Sequence, residues 1–79
     1  MRAKILKLDR KLFDGEITKV VVPATEGEIC LLPHHMAIIT TLCRGSVRVY
    51  RSGYTHPVII KIDGGICSFS TNTATFIIH

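Results

Sequence analysis

Turn-forming residues recur along this chain at short distances: Phe13-Asp14-Gly15, Pro23, Glu26-Gly27-Glu28, Pro33-His34-His35, Gly45 and Asp63-Gly64-Gly65. The stretches between them are rich in Val, Ile and Thr, whose branched Cβ atoms suit a pleated surface better than a helix. No window carries a helical period. The longest candidate, Ile29 to Leu42, is interrupted by Pro33 and the His34-His35 pair, and its β-branched content favours strand. The spacing therefore predicts a compact all-β domain.

Strands are predicted over 4–8, 16–22, 29–32, 36–42, 46–51, 56–62, 66–69 and 73–78, with turns at Asp14-Gly15, Glu26-Gly27-Glu28, Arg44-Gly45, Ser52-Gly53, Asp63-Gly64-Gly65 and 70–72. Asp63-Gly64-Gly65 reads as a hairpin. Alternation points Val47 and Val49 inward, with Arg48 and Tyr50 outward. It places Val58, Ile60 and Ile62 on one face, and Ala74, Phe76 and Ile78 on another. In 16–22 the apolar positions Ile17, Val20 and Val22 slip by one residue, which a β-bulge between Ile17 and Val20 would repair. Pro23 has no N–H for a ladder and is expected at a strand end or edge. The predicted architecture is all-β, a two-layer β-sandwich or flattened barrel of about 8–10 short strands around one core.

With 79 residues the chain is read as a single domain, 1–79. A chain this short buries only about 60 % of its unfolded surface, so a partner that binds the folded form would help it. Its formal charge of +4 is spread along the sequence, densest at Lys4, Lys7, Arg10 and Lys11 and at Arg44, Arg48 and Arg51. That balance suits nucleic acid, anionic lipid or an acidic protein face. The 3 cysteines, Cys30, Cys43 and Cys67, include no close pair and read as core or near-core thiols of a reducing compartment. No stretch reaches the ~20 apolar residues of a membrane span, and no leader pattern opens the chain. The expected protein is soluble, or held at a membrane only through others.

Little in the sequence points to chemistry. Ser46, Ser52, Ser68 and Ser70 stand in no nucleophile-elbow motif. Asp9, Asp14, Glu16, Glu26, Glu28 and Asp63 fall mostly at turns, where carboxylates bond the local backbone. His34, His35, His56 and His79 show no metal-ligand spacing. In an extended segment His34 and His35 would face opposite ways. Gly64-Gly65 lacks the Gly-Lys-Ser/Thr of a phosphate loop. No catalytic residue, cofactor or metal is expected. The rival function is a small basic β-barrel binding single-stranded nucleic acid, with Tyr50 and Tyr54 beside Arg48 and Arg51 at a hairpin tip. Against it, aromatics are few, and Phe13, Phe69 and Phe76 read as core.

The segment Leu31 to Leu42 is unusually apolar for one that returns to the surface around Pro33. Ile38 and Ile39 are consecutive, so one faces each side of the sheet. If Ile38 is core, Ile39 and Met36 reach the outside, and an outward apolar strip on a small domain points to a partner.

One ordered set of residues resembles a known family. Phe13-x-Gly15 is followed by Ile17, Val20 and Val22 before Pro23, then Glu26-Gly27-Glu28 and Leu32-Pro33-x-His35. Gly45-x-Val47-Arg48-Val49, Gly64-Gly65-Ile66 and a Thr-rich last strand complete it. This series resembles the amino-terminal β-sandwich of the F-type ATP synthase epsilon subunit across the whole chain. The resemblance implies a non-catalytic central-stalk part that clamps the gamma subunit onto the polar loops of the c-ring and couples proton-driven rotation to ATP synthesis. It implies a peripheral place on the cytoplasmic face of a bacterial inner membrane, or its equivalent, and no nucleic acid. By motif, Glu28 matches the acidic residue near the c-ring and His35 the stalk-facing histidine. Met36, Ile39 and Thr40 follow on the gamma-associated face. The family usually has Gly where this chain has His34, and a small residue then Pro where it has Met36 and Ala37. A Pro commonly precedes Gly45; here it is Arg44. The family's carboxy-terminal helices, which regulate hydrolysis and in some members bind ATP, have no counterpart up to His79, so neither property is expected of these residues.

Overall fold

Alternation of apolar and polar side chains drives this chain into strands. A computed structural model describes residues 1–79: β1 (Arg2–Lys7), β2 (Arg10–Glu16), β3 (Lys19–Ala24), β4 (Gly27–Leu31), β5 (Ile38–Leu42), β6 (Gly45–Tyr50), β7 (Val58–Ile62), β8 (Gly65–Ser70) and β9 (Thr73–Ile78), with no helix. They form one hydrogen-bonded ladder in the order β2-β1-β9-β8-β5-β3-β6-β7, and β4 lies on the other side of β3. Only β1 and β9 run parallel. β3 and β5 meet at a single pair, Ala24 opposite Leu42. There the ladder folds over, so that β2-β1-β9-β8-β5 and β4-β3-β6-β7 become the two layers expected of a β-sandwich.

The core between the layers is wholly apolar. Ile5, Val20, Val22, Leu31, Val47, Val49, Cys67, Phe69 and Phe76 are the largest fully buried side chains, and no polar or charged side chain is buried. Every second residue of a strand supplies it, as in Val47 and Val49 of β6 and Ala74, Phe76 and Ile78 of β9. Each large apolar side chain taken fully from water contributes about 1.5–3 kcal/mol.

Several local expectations fail for identifiable reasons. Asp14-Gly15 is not a turn. Residues 10–16 form β2, with Gly15 opposite Ala3, and the chain reverses earlier, where Leu8 adopts φ 54°. The slip between Ile17 and Val20 is a break between strands, sealed by Thr18 N–H donating to the Tyr50 carbonyl at 2.8 Å. The ladder irregularity lies instead at Ile5 and Leu6, which pair with Phe13 and Lys11 and skip Leu12. Pro23 lies inside β3, where its carbonyl accepts from Cys43 N–H at 2.8 Å. Asp63-Gly64-Gly65 is no hairpin: β7 pairs with β6, β8 pairs with β5 and β9, and the turn carries the chain between layers. Of the cysteines only Cys67 is core, because Ile29 and Leu31 take the inward places around Cys30, and Cys43 sits exposed in a turn. The carboxylates mostly pair with cations rather than bond their own turns. Asp14 meets Arg2 at 2.7 Å and Lys11 at 3.0 Å, and Asp63 lies 3.5 Å from Arg44. The hydrogen bond from Lys11, aided by the charges of Arg2 and Lys11 and opposed by desolvation, holds the Asp14 carboxyl below its usual range.

Gly65 opens β8 at φ 150°, and a Cβ there would strike the Ile77 carbonyl and lie 2.8 Å from Ile78 Cα. Gly27 also has positive φ, at 125°, but a Cβ there would meet nothing within 4 Å. Gly65→Ala should therefore cost at least about 3 kcal/mol and Gly27→Ala about 1 kcal/mol. Urea unfolding midpoints compare them, and equal losses would contradict the packing at β8–β9.

Burial pushes the Cys67 thiol from 9.0 up to about 12. The thiolate is the nucleophile. A short alkylation pulse at about pH 8 should label Cys30 and Cys43 in the folded chain and reach Cys67 only on unfolding. The stabilisation from keeping Cys67 neutral is complete below pH 9.0 and is lost as pH rises toward about 12. Mass spectrometry showing all three cysteines modified in the pulse would contradict the buried placement.

Candidate partner-binding surface

β5 places its side chains in strict alternation: Ile39 and Thr41 face outward, while Ile38, Thr40 and Leu42 face the other layer. Ile39 is 76% exposed. Its ladder neighbours extend that outer face. Ile39 lies opposite Ser68 and Thr41 opposite Ile66. Ile66 in turn lies opposite Ile77, and Ser68 opposite Thr75. Ile39, Ile66 and Ile77, all at least half exposed, therefore share one outer face of β5, β8 and β9. Ile66 is directly across from Ile77 and diagonal to Ile39, within reach for long side chains. Only hydroxyl-bearing residues stand among them. The first charge in the row is Lys4, opposite Thr75 on β1. Leaving this much contiguous apolar surface in water is unfavourable, and covering it with a partner recovers the loss.

Residues 32–37, between β4 and β5, form no strand, so the extended geometry that would splay His34 and His35 is absent. The chain turns there because His34 adopts φ 67°. Its N–H donates to Asn72 Oδ1 at 2.9 Å, and His35 N–H donates to the Leu32 carbonyl at 3.1 Å. The half-buried His35 ring stands edge-on to Phe69, with centroids 5.9 Å apart, and its Nδ1 lies 2.7 Å from the Met36 carbonyl. Met36 projects into solvent, 79% exposed.

The five residues singled out from sequence thus do not form one cluster. His35 and Met36 lie in the turn leading into β5, the His35 ring against the core residue Phe69, and Ile39 lies on the outer face of β5. Thr40 is half-buried behind Ile39, on the opposite side of β5. Glu28 sits in the other layer, on β4 opposite Pro23, with its carboxylate accepting from Arg48 Nη2 at 3.0 Å. Sequence reasoning missed Ile66 and Ile77. For Ile77 the signal was present: in Phe76-Ile77-Ile78 alternation buries the outer two and must expose the middle one.

The tyrosines of the nucleic-acid alternative already hold cations. Lys19 Nζ lies 4.6 Å from the Tyr50 ring centre, and the Arg51 guanidinium stacks 3.7 Å from that of Tyr54. Each ring has a cation over one of its faces, and Tyr54 stays 61% exposed.

His34 pays a strain that glycine would avoid, since positive φ is open to Gly without a Cβ clash. His34→Gly should leave stability unchanged or raise it by up to about 1 kcal/mol, whereas the β-branched His34→Val should lower it by about 1–2 kcal/mol. Chemical denaturation measures both, and a larger loss for the glycine variant would show that the His34 ring, rather than its backbone, matters.

Comparison with known proteins agrees with this geometry. The family described as "ATP synthase, Delta/Epsilon chain, beta-sandwich domain" matches residues 1–79. The chain is 32% identical over 75 residues to the ATP synthase epsilon chain of Chromobacterium violaceum, covering 95% of this chain and 54% of that one. It is 35% identical over 74 residues to the ATP synthase epsilon chain of Pelotomaculum thermopropionicum, covering 94% and 54%. It thus spans about half the length of these relatives. Among solved structures, the fold matches a chain of the Euglena gracilis mitochondrial ATP synthase (OSCP/F1/c-ring) with a TM-score of 0.89 at 19% identity, over 96% of this chain and 48% of that one. It matches a chain of the Tetrahymena thermophila mitochondrial ATP synthase central stalk and c-ring with a TM-score of 0.79 at 14% identity, over 98% and 61%. At those identities the likeness is one of fold. The chain belongs to the family of ATP synthase delta/epsilon β-sandwich domains.

Proposed function

We propose that this domain is the non-catalytic, torque-bearing part of an epsilon subunit in the central stalk of an F-type ATP synthase. The observation that supports this best is the uncharged outer face of Ile39, Ile66 and Ile77 on a rigid two-layer body. The gamma subunit seats on that face, with His35 and Met36 gripping at one end and Thr40 on the reverse side of β5, behind the contact. Glu28, at the far end of the other layer, faces the polar loops of the c-ring. Its partner Arg48 is itself only partly exposed, so the carboxylate can be shared with a basic loop across the joint. The relatives named as ATP synthase epsilon chains, and the central-stalk assembly among the matched structures, support the same reading.

The mechanism is mechanical. The ladder ties every strand into one sheet, so force applied at the Glu28 end reaches the isoleucine face through backbone hydrogen bonds rather than through a mobile loop. The chain supplies no reacting group; proton-driven rotation passes through it to ATP synthesis elsewhere. Such a part works peripherally, at the cytoplasmic face of a bacterial inner membrane or the corresponding side of another coupling membrane.

The test is binding of the full-length subunit to the gamma subunit of the same complex. Ile39→Asp and Ile77→Asp each should weaken binding by about 2 kcal/mol or more, roughly thirtyfold. Ile59→Asp is the control: Ile59 is 59% exposed on β7 in the other layer, and its loss should be within about twofold. Failure of the unmodified subunit to bind, or equal loss from Ile59→Asp, would overturn the assignment.

A further inference from the structure

Pro33 and His34 occupy the middle of a turn from Leu32 to His35, closed by His35 N–H donating to the Leu32 carbonyl at 3.1 Å. Proline in the second place and φ 67° in the third mark a type II turn, whose third place calls for glycine or asparagine. His34 is neither, so the turn carries backbone strain. A type II turn also leaves the N–H of its third residue without a partner inside the turn. Here that N–H donates to Asn72 Oδ1 at 2.9 Å, from a residue 38 positions away in sequence. No other hydrogen bond ties residues 32–37 to another part of the chain.

Asn72 is itself well fixed. Ser70 lies opposite Thr73, so Thr71 and Asn72 alone join β8 to β9. Their φ angles of 50° and 56° are those of a type I′ hairpin, in which asparagine is at home. The Asn72 carbonyl accepts from Arg2 N–H at 3.1 Å, which ties this hairpin to the start of β1. One half-buried side chain therefore links a turn anchored in the five-strand layer to the strained turn before β5. The same hairpin steadies the next residue, because the His35 ring stands against Phe69 of β8. A partner that grips His35 and Met36 must find the strained turn formed. Its apparent affinity falls with the fraction of molecules in which that turn stands ready. An unstrained turn would stay formed without the bond, whereas the His34 turn depends on it.

We propose that Asn72 is a positioning residue for the partner-gripping turn: its side-chain carbonyl holds His34 in the left-handed conformation and so presents His35 and Met36 in their binding arrangement. This rests on the reading that the gamma subunit seats against those two residues. Asn72 acts through the turn and touches no partner itself.

The full-length subunit is titrated with the gamma subunit of the same complex, and His34 amide exchange is followed in the free subunit. Asn72→Gly removes the acceptor and keeps the positive φ of the hairpin, while Asn72→Asp keeps both. Asn72→Gly should weaken gamma binding about fivefold and quicken His34 exchange by a similar factor, with exchange in β6 and β7 unchanged. Asn72→Asp should hold both quantities within about twofold of the unmodified subunit. In a His34→Gly background the turn forms without strain, so adding Asn72→Gly should change binding by less than about twofold. Unchanged binding by Asn72→Gly, an equal loss from Asn72→Asp, or the same loss persisting beside His34→Gly overturns the proposal and leaves the gamma assignment standing. Faster exchange throughout β6 and β7 in Asn72→Gly shows a general loosening of the fold and overturns it as well. An unmodified subunit that does not bind gamma overturns the assignment and the proposal together.

Discussion

Everything in this molecule depends on the ladder folding over between β3 and β5, which meet at the single pair Ala24 and Leu42. An open sheet of this length would leave a whole apolar face in water. Folded at Ala24 and Leu42, it turns that face inward as a core with no buried polar side chain. The core needs no internal ion pair or hydrogen-bonded network, so its stability comes from burial and close packing. The same closure makes the outside of each layer a continuous platform, and function is written on those platforms.

The two outer surfaces differ because alternation leaves different residues outside. On the five-strand layer it leaves Ile39, Ile66 and Ile77 among hydroxyls. On the other layer it also leaves one isoleucine, Ile59, but beside Arg48 tied to Glu28, with Lys19 and Arg51 lying over tyrosine rings. Exposed ion pairs contribute little to stability, but they keep that layer hydrated. The asymmetry gives the domain an oily side and a wet side, as a part clasped from one flank requires.

Much of this was legible in the chain. The β9 boundaries, the inward set Ala74, Phe76 and Ile78, and the outward place of Ile39 follow from period-two alternation alone. The local misreadings share one cause: a turn residue is ambiguous without its partner strand. Asp14-Gly15 has turn composition, yet Gly15 is held in β2 by pairing with Ala3 and Asp14 by Arg2 and Lys11. Gly64-Gly65 has hairpin composition, yet β8 finds better partners in β5 and β9 than in β7. The site was half legible. Ile39 stood out because it adjoins Ile38, whereas grouping it with Ile66 and Ile77 needs the β5-β8-β9 strand order, which non-local pairing decides.

The most direct test of the isoleucine face is amide hydrogen exchange of the full-length subunit, free and bound to its gamma partner. Seating on that face predicts new protection in β5, β8 and β9, with exchange in β6 and β7 unchanged. Protection confined to β6 and β7, with Ile39, Ile66 and Ile77 exchanging as in the free protein, would contradict it.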